Sequence, residues 1–343
     1  MIAVQIKEPR VIKTVETAVP VPKKGEVLLR VLYAGICGSD IGAFRGTNSL
    51  VSYPRIIGHE IVAQVVSQPE ENRGGICKGD IVVVDPYLYC GRCYPCSIGR
   101  TNCCVDLKVL GVHVEGGMSE YMVHPTDMLV KVPEGIPLEL AAMAEPLTIS
   151  LHGLHRGGAK EGEHIAIIGA GPIGVLAAMA AMSYGAVPIL LDISQDRLNF
   201  AREKLGVPHT VNTAAEDAEE AVRVITDGRM AELVMECSGA NSAILSTLQL
   251  VCNAGRITLT GWPKNPTSLH TDVITKKEVD IRGARTSAGE FEEALELIRT
   301  GKVDVRKILT KVISLQEAPA TVEDIERNPG SYMKVVVRAG ETE

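Results

Sequence analysis

Two patterns of hydrophobic positions divide the chain. Over about the first 145 residues, short apolar segments recur between glycines and prolines: EVLLRVLYAG (26–35), HEIVAQVV (59–66), DIVVVDPY (80–87) and EYMVHP (120–125). Strands this short and closely spaced predict a barrel-like or mixed β domain. The texture changes near Pro146. From His164 onward, apolar runs alternate with helical patterns: HIAIIG (164–169), PIGVLAAMAAMSYG (172–185), VPILLD (187–192), RLNFAREKLG (197–206), ELVMECSG (232–239) and RITLTG (256–261). Continuous apolar strands alternating with helices predict a parallel sheet covered on both faces. A helix over 290–301 and a closing strand over 333–339 follow, and no internal repeat is visible.

Length and composition narrow the class. A chain of 343 residues is long for one core, so two domains are expected. A hydrophobic share of 45% and a charged share of 22% are those of an ordinary globular protein. With three Phe and one Trp, the cores must be built from Val, Ile, Leu, Ala and Met. A net charge of −7 gives no basic field for nucleic acid or an anionic membrane. The longest apolar stretch, around Ile173 to Met182, is too short to span a bilayer. The N-terminal MIAVQIKEPR reads as a strand and a turn, not an export signal, so the cytoplasm is the expected compartment.

The nine cysteines are not evenly spread. Cys90, Cys93, Cys96 and Cys104 form C-x2-C-x2-C-x7-C, with Gly91, Pro95 and Gly99 supplying turns. Four thiolates this close can surround one Zn²⁺ and leave no position for water, which makes the site structural. Two disulfides or four unrelated buried thiols are the other readings. A reducing compartment and three cysteines at x2 intervals favour zinc.

Gly169-Ala170-Gly171-Pro172-Ile173-Gly174 is G-x-G-x-x-G. The motif is weak alone, but here it follows a predicted strand and opens a predicted helix. That context turns the backbone tightly and aims amides at a pyrophosphate. The next strand ends in Asp192, at the spacing expected of a carboxylate that accepts from a ribose hydroxyl. A carboxylate repels a 2′-phosphate and Ile193 beside it is not basic, so NAD is expected over NADP. Arg197, five residues on, is a further candidate cofactor contact.

Three more elements suggest a reactive metal: Cys37 in GICGSD (35–40), His59 and Glu60 in GHE (58–60), and Glu145 in AEPL (144–147). Taken singly, His59 reads as a histidine at a turn, Cys37 as a small buried hydrophobe and Glu145 as a surface acid. Taken together, one Cys, one His and one or two carboxylates can hold zinc with a position left open.

These pieces, with the cysteine loop (90–104) and GGMSEY (116–121), occur in the order found in the zinc-dependent medium-chain dehydrogenases, and the chain resembles that family along essentially its whole length. The resemblance implies an α/β protein. A GroES-like β-rich catalytic domain would come from residues 1–147 and 285–343, with a Rossmann doubly wound parallel sheet at 148–284 between them. It also implies one catalytic and one structural zinc per chain, NAD, a small-molecule substrate and a homodimer or homotetramer. By resemblance, Cys104 rather than Cys103 is the fourth ligand of the loop. Cys37, His59 and Glu60 approach the catalytic zinc, and Glu145 is a ligand or a hydrogen-bond partner beside it.

Glu145 stands where liver-type alcohol dehydrogenases have cysteine, which points to the polyol branch. The segments YPR (53–55), GRTNCC (99–104) and LGVHVEGG (110–117) most resemble L-galactonate, L-gulonate and L-idonate 5-dehydrogenases. The expected reaction is oxidation of a secondary alcohol of such a sugar acid to the keto acid. A polyol or L-threonine 3-dehydrogenase is the near alternative, and a catalytically silent binding or regulatory relative the distant one. Ser39 would relay the proton, and Arg285 would clamp Glu145 or a substrate carboxylate. One departure stands out: Gly42 occupies the position of the family's proton-relay histidine. Ala63 and Pro69 replace glycines common after GHE.

Overall fold

The computed structural model describes residues 1–69 and 75–340. The chain divides into two compact units. The first comprises Met1–Glu145, Phe291–Arg299 and the segment from Ile308 onward. The second comprises Pro146–Glu290 and Thr300–Lys307.

The first unit is β-rich. Strands β1 (Ile2–Glu8), β2 (Val11–Glu16) and β4 (Arg55–Ile56) form a small sheet in the order β2-β1-β4. A larger sheet is ordered β10-β6-β5-β3-β18-β17, from β3 (Glu26–Ile36), β5 (Glu60–Val65), β6 (Ile81–Val84), β10 (Leu129–Lys131), β17 (Leu309–Ser314) and β18 (Lys334–Arg338), with β9 (Tyr121–Pro125) also on β3. The eleven-residue β3 serves three partners because its two halves bond differently: Glu26–Arg30 pairs with β9 and Tyr33–Ile36 with β18. β7 (Tyr87–Leu88) and β8 (Lys108–Val109) make a separate two-stranded ribbon. Val27, Leu29 and Val31 on β3 pack with Ile61, Ala63, Val82 and Val84 in one core. Each buried Val, Leu or Ile among them contributes about 1.5–3 kcal/mol.

Register in the large sheet decides where chemistry collects. Gly35 lies opposite Glu60, and Ile36 opposite Val335. Both pairings are antiparallel, so the end of β3 meets the beginnings of β5 and β18. Cys37 just past β3, His59 just before β5 and Lys334, the first residue of β18, are delivered to one place.

The second unit holds six parallel strands: β11 (His164–Ile168), β12 (Val187–Asp192), β13 (His209–Asn212), β14 (Ala231–Glu236), β15 (Val251–Leu259) and β16 (Asp280–Gly283). Their order, β13-β12-β11-β14-β15-β16, is 3-2-1-4-5-6 within the unit, the doubly wound dinucleotide order. Ile165, Ala166 and Ile167 in β11 are fully buried, as a strand covered on both faces requires. Trp262 is exposed, so the core is aliphatic as the composition predicts. Among the described residues, no helix is long and apolar enough to cross a membrane.

Candidate active site

The four-cysteine loop runs between β7 and β8, which close its base. The sulfurs of Cys90, Cys93, Cys96 and Cys104 all lie within 4.8 Å of one another. Cys93 Sγ is 3.4 Å from Cys96 Sγ and 3.9 Å from Cys104 Sγ. With Zn–S bonds of about 2.3 Å, a tetrahedron has edges of about 3.8 Å, so the spacing fits the metal. It does not fit a disulfide, whose sulfurs sit about 2.05 Å apart. Cys103 is outside the group.

Local geometry explains the loop. Cys93 caps the short helix Tyr94–Ser97 with Pro95 in its first turn, and Gly91 and Gly99 take positive φ at 70° and 75°. Backbone N–H groups of Cys90 and Asp106 donate to Cys104 Sγ at 3.2 and 3.4 Å. Amides of Val105 and Cys96 draw the Cys93 thiol down to about 6. These donors favour the thiolate, the form that binds metal.

The second cluster is assembled from distant residues. Cys37, His59 and Glu60 bring one donor atom each within 4.8 Å of the others. Cys37 caps the helix Gly38–Arg45. Asp40, three residues on and 1% exposed, accepts from Cys37 N–H at 2.9 Å and from Gly58 N–H at 3.3 Å. One buried carboxylate thereby ties the cysteine turn to the Gly58–His59 turn. Ser39 Oγ lies 3.5 Å from His59 Nε2.

Glu60 is fully buried. Its Oε1 accepts from Lys334 Nζ, which also donates to the Ile36 carbonyl at 3.2 Å. Glu60 Oε2 and His59 Nδ1 are buried with no hydrogen-bond partner. A Cβ at Gly35 would overlap Glu60 Oε2, so any side chain there would displace the Glu60 carboxylate. Two orphaned donors beside a thiol fit a zinc ion bound by three protein ligands with one position open. Burial opposes charge on His59 and on Lys334. Cys37 and Asp40 around the first, and Glu60 and Cys37 around the second, outweigh it and raise both.

Glu145 opens the helix Ala144–Gly157, is 4% exposed and lies outside the three-donor group. Tyr87 OH donates to its Oε1. Burial pushes Glu145 up to about 6, with His59 pulling it down and Glu60 adding to the rise.

In the second unit, Gly169 takes φ 107° at the end of β11, and Gly171 caps the helix Pro172–Ser183 with Pro172 at its first position. A Cβ at Gly174 would overlap the Gly169 carbonyl, so the third glycine lets the helix pack onto the strand. The Ile173 carbonyl accepts from Ser150 Oγ at 2.8 Å. Asp192 Oδ2 accepts from Ala170 N–H at 2.6 Å and Oδ1 from Ser194 N–H at 2.8 Å, which ties the acid to the glycine turn. Arg197 Nη1 lies close to Gly171, 3.8 Å from where a Cβ would stand. Arg285 follows β16, one residue past Ala284, whose N–H bonds the Leu259 carbonyl.

Three residues of the metal region escape sequence reading: Asp40, Tyr87 and Lys334. Only Lys334 left a signal, a charge opening the apolar run KVVV. A Cβ at Gly42 would sit in ordinary contact with Asn48, at 3.6 Å from its Cβ, so crowding does not impose that glycine.

Comparison with known proteins agrees with this geometry. Residues 23–134 match the alcohol dehydrogenase GroES-like domain and residues 172–300 the zinc-binding dehydrogenase domain. An uncharacterized zinc-type alcohol dehydrogenase-like protein of Haemophilus influenzae is 52% identical over 97% of both chains. The L-galactonate-5-dehydrogenase of Escherichia coli is 33% identical over 89% of both. The crystal structure of the alcohol dehydrogenase RspB from Escherichia coli CFT073, complexed with NADH, has a TM-score of 0.91 and 32% identity, covering 98% of this chain and 99% of that one. This chain belongs to the zinc-dependent medium-chain dehydrogenases, in their polyol and sugar-acid branch, and is an enzyme of the zinc- and NAD-dependent alcohol dehydrogenase type.

Proposed function

We propose that this enzyme oxidises a secondary hydroxyl of a hexonate such as L-galactonate, L-gulonate or L-idonate to the ketone while reducing NAD. The observation that carries the reading is the trio Cys37, His59 and Glu60, with an imidazole nitrogen and a carboxylate oxygen buried and unpartnered. Zinc held there would supply Lewis acidity that lowers the hydroxyl pKa, and NAD would accept the hydride.

The chain's own residues do the rest. Asp40 fixes the two turns that carry Cys37 and His59. Ser39, beside His59, is positioned to take the hydroxyl proton and pass it toward solvent. The helix N-terminus at Gly171, Pro172 and Ile173 would receive the pyrophosphate of NAD, and Asp192 the ribose, with Arg197 near by. Cys90, Cys93, Cys96 and Cys104 would hold a second zinc through four sulfurs, a site suited to bracing the loop rather than to turnover. The sugar-acid assignment is supported by the L-galactonate-5-dehydrogenase relative and by Arg285, whose planar fork matches a carboxylate. Residues 1–147 with 285–343 are read as the catalytic domain and 148–284 as the cofactor domain.

The test is NADH formation by the zinc-loaded protein with L-galactonate, L-gulonate, L-idonate, sorbitol, galactitol and L-threonine. Turnover confined to hexonates supports the reading. Turnover only with a neutral polyol or threonine keeps zinc and NAD but removes the carboxylate recognition by Arg285.

A further inference from the structure

The strand order of the six-stranded sheet reverses between β11 and β14, and in such sheets a ligand binds in the crevice outside the carboxyl ends at that point. One wall of the crevice is the glycine turn after β11. The other is the loop after β14, residues 237–240. The two walls touch. Cys237 N–H donates to the Ile168 carbonyl at 2.9 Å, and a Cβ on Gly169 would stand 3.3 Å from both the N and the Cβ of Ser238. The place of residues 237–239 therefore sets the room beside the glycine turn.

Glu236 ends the buried run Leu233-Val234-Met235 with a carboxylate that is itself fully buried. A carboxylate withdrawn from water is costly unless hydrogen bonds satisfy it. Its Oε1 accepts from Ser238 N–H at 2.7 Å, Ser238 Oγ at 2.6 Å and Gly239 N–H at 2.9 Å, and Gly239 N–H lies 3.1 Å from Oε2. Ser238 Oγ in turn accepts from Ala240 N–H at 3.1 Å, at the cap of the helix Asn241–Leu250. The Glu236 carbonyl accepts from Thr260 and Gly261 N–H, just past β15, at 2.9 and 3.0 Å. A Cβ at Gly261 would overlap Gly239 N and Glu236 Oε2, so the two loops meet over this acid. Ser238 is exposed, so its place is fixed by the acid beneath it and not by burial of its own side chain.

We propose that Glu236 is a positioning residue for the cofactor, whose carboxylate holds residues 237–239 against the glycine turn as the second wall of the crevice. It acts through that loop. The inference rests on the cofactor reading of the glycine turn given above.

The test measures NADH dissociation constants by equilibrium dialysis on the full zinc-loaded chain. Glu236→Met replaces the acceptors by an apolar chain of similar length. It is expected to raise the constant by about tenfold or more, the scale of one charge-assisted hydrogen bond. Glu236→Gln keeps an acceptor oxygen and should stay within about threefold of wild type. Ser238→Ala deletes one donor at an exposed position and should weaken binding by about threefold, and it carries the test if Glu236→Met does not fold. Zinc per chain should match wild type in each variant, which separates loss of the cofactor wall from general unfolding. Wild-type affinity in Glu236→Met or in Ser238→Ala, or an equal loss in Glu236→Gln and Glu236→Met, overturns the proposal. Asp192→Ala is the control for the reading beneath it. Undiminished NADH affinity there overturns the cofactor assignment of the glycine turn and the proposal with it. Weakened binding in Asp192→Ala beside wild-type affinity in Glu236→Met removes the role of Glu236 alone.

Discussion

The two cysteine-bearing clusters differ in nearly every physical respect. The loop of Cys90, Cys93, Cys96 and Cys104 takes four identical donors from fifteen consecutive residues, and mostly half-buried ones. Its own short turns and backbone amides bring the sulfurs together. The set of Cys37, His59 and Glu60 takes three different donors from two separate turns, and its His and Glu are deeply buried. Sheet register, the bridge of Asp40 and the pairing of Lys334 assemble it. A saturated, symmetric set stabilises a loop. An unsaturated, asymmetric one leaves valences unfilled inside the protein, and those valences are where a substrate can be activated. Tyr87 stands at the base of the first cluster and reaches the neighbourhood of the second.

The comparison breaks most sharply under substitution of one donor in each set. Cys37→Ser is expected to lower kcat by about 10³-fold or more while thermal stability changes little, because a metal held there would serve chemistry. Cys93→Ser is expected to do the reverse to the fold, lowering stability by several kcal/mol through loss of a structural metal. Parallel kinetics and thermal melts check the pair. Equal losses of stability from both would erase the distinction.

Lys334→Met sharpens the difference in burial. It strands a carboxylate at zero exposure, and removal of one member of a buried pair costs about 3–5 kcal/mol. Urea unfolding should register that loss. Among the described residues no comparable buried charged pair supports the cysteine loop, so charge removal at Arg92, in the loop, should change stability by less than about 0.5 kcal/mol.

Acid separates the scaffold from the metals. His124 donates from Nε2 to the Asp85 carbonyl at 2.8 Å, and burial holds it down at about 4. The folded group refuses a proton that the unfolded chain accepts below about 6.5. Its contribution is therefore present above pH 6.5 and is lost as the pH falls toward 4, by up to about 3 kcal/mol. His124→Gln should flatten stability across that window. Unchanged pH dependence in the variant would show that His124 is not responsible.

Gly42 offers a small effect of the opposite sign. It lies inside the helix Gly38–Arg45 with ordinary space beside it, so Gly42→Ala should stabilise the fold by about 0.5–1 kcal/mol. A destabilised variant would show that the absent side chain is needed there.

How much of this was legible follows the same division. The cysteine loop could be read directly, because its donors are neighbours in sequence and its turns carry glycine and proline. The six-stranded sheet was legible in type from its apolar runs, and G-x-G-x-x-G with Asp192 marked its switch end. Strands β2, β4, β8, β10, β13, β16 and β17 give no legible apolar run, and β4, β8 and β10 are only two or three residues long. β17 exposes three of its first four residues, and β13 and β16 are four residues long. The donor set of Cys37, His59 and Glu60 was legible only through the order of motifs, because antiparallel pairing across distant segments joins it. Asp40, Tyr87 and Lys334 were illegible for that reason: each matters through a partner that only register supplies. Lys334 is 274 residues from Glu60.

On the proposed reading one metal site works and the other braces. Zinc per chain, measured beside NADH formation from L-galactonate for wild type and Cys37→Ser, tests it most directly. About two zinc ions should fall to about one, with turnover lost and the fold retained. A Cys37→Ser protein that keeps both ions and full turnover would contradict it.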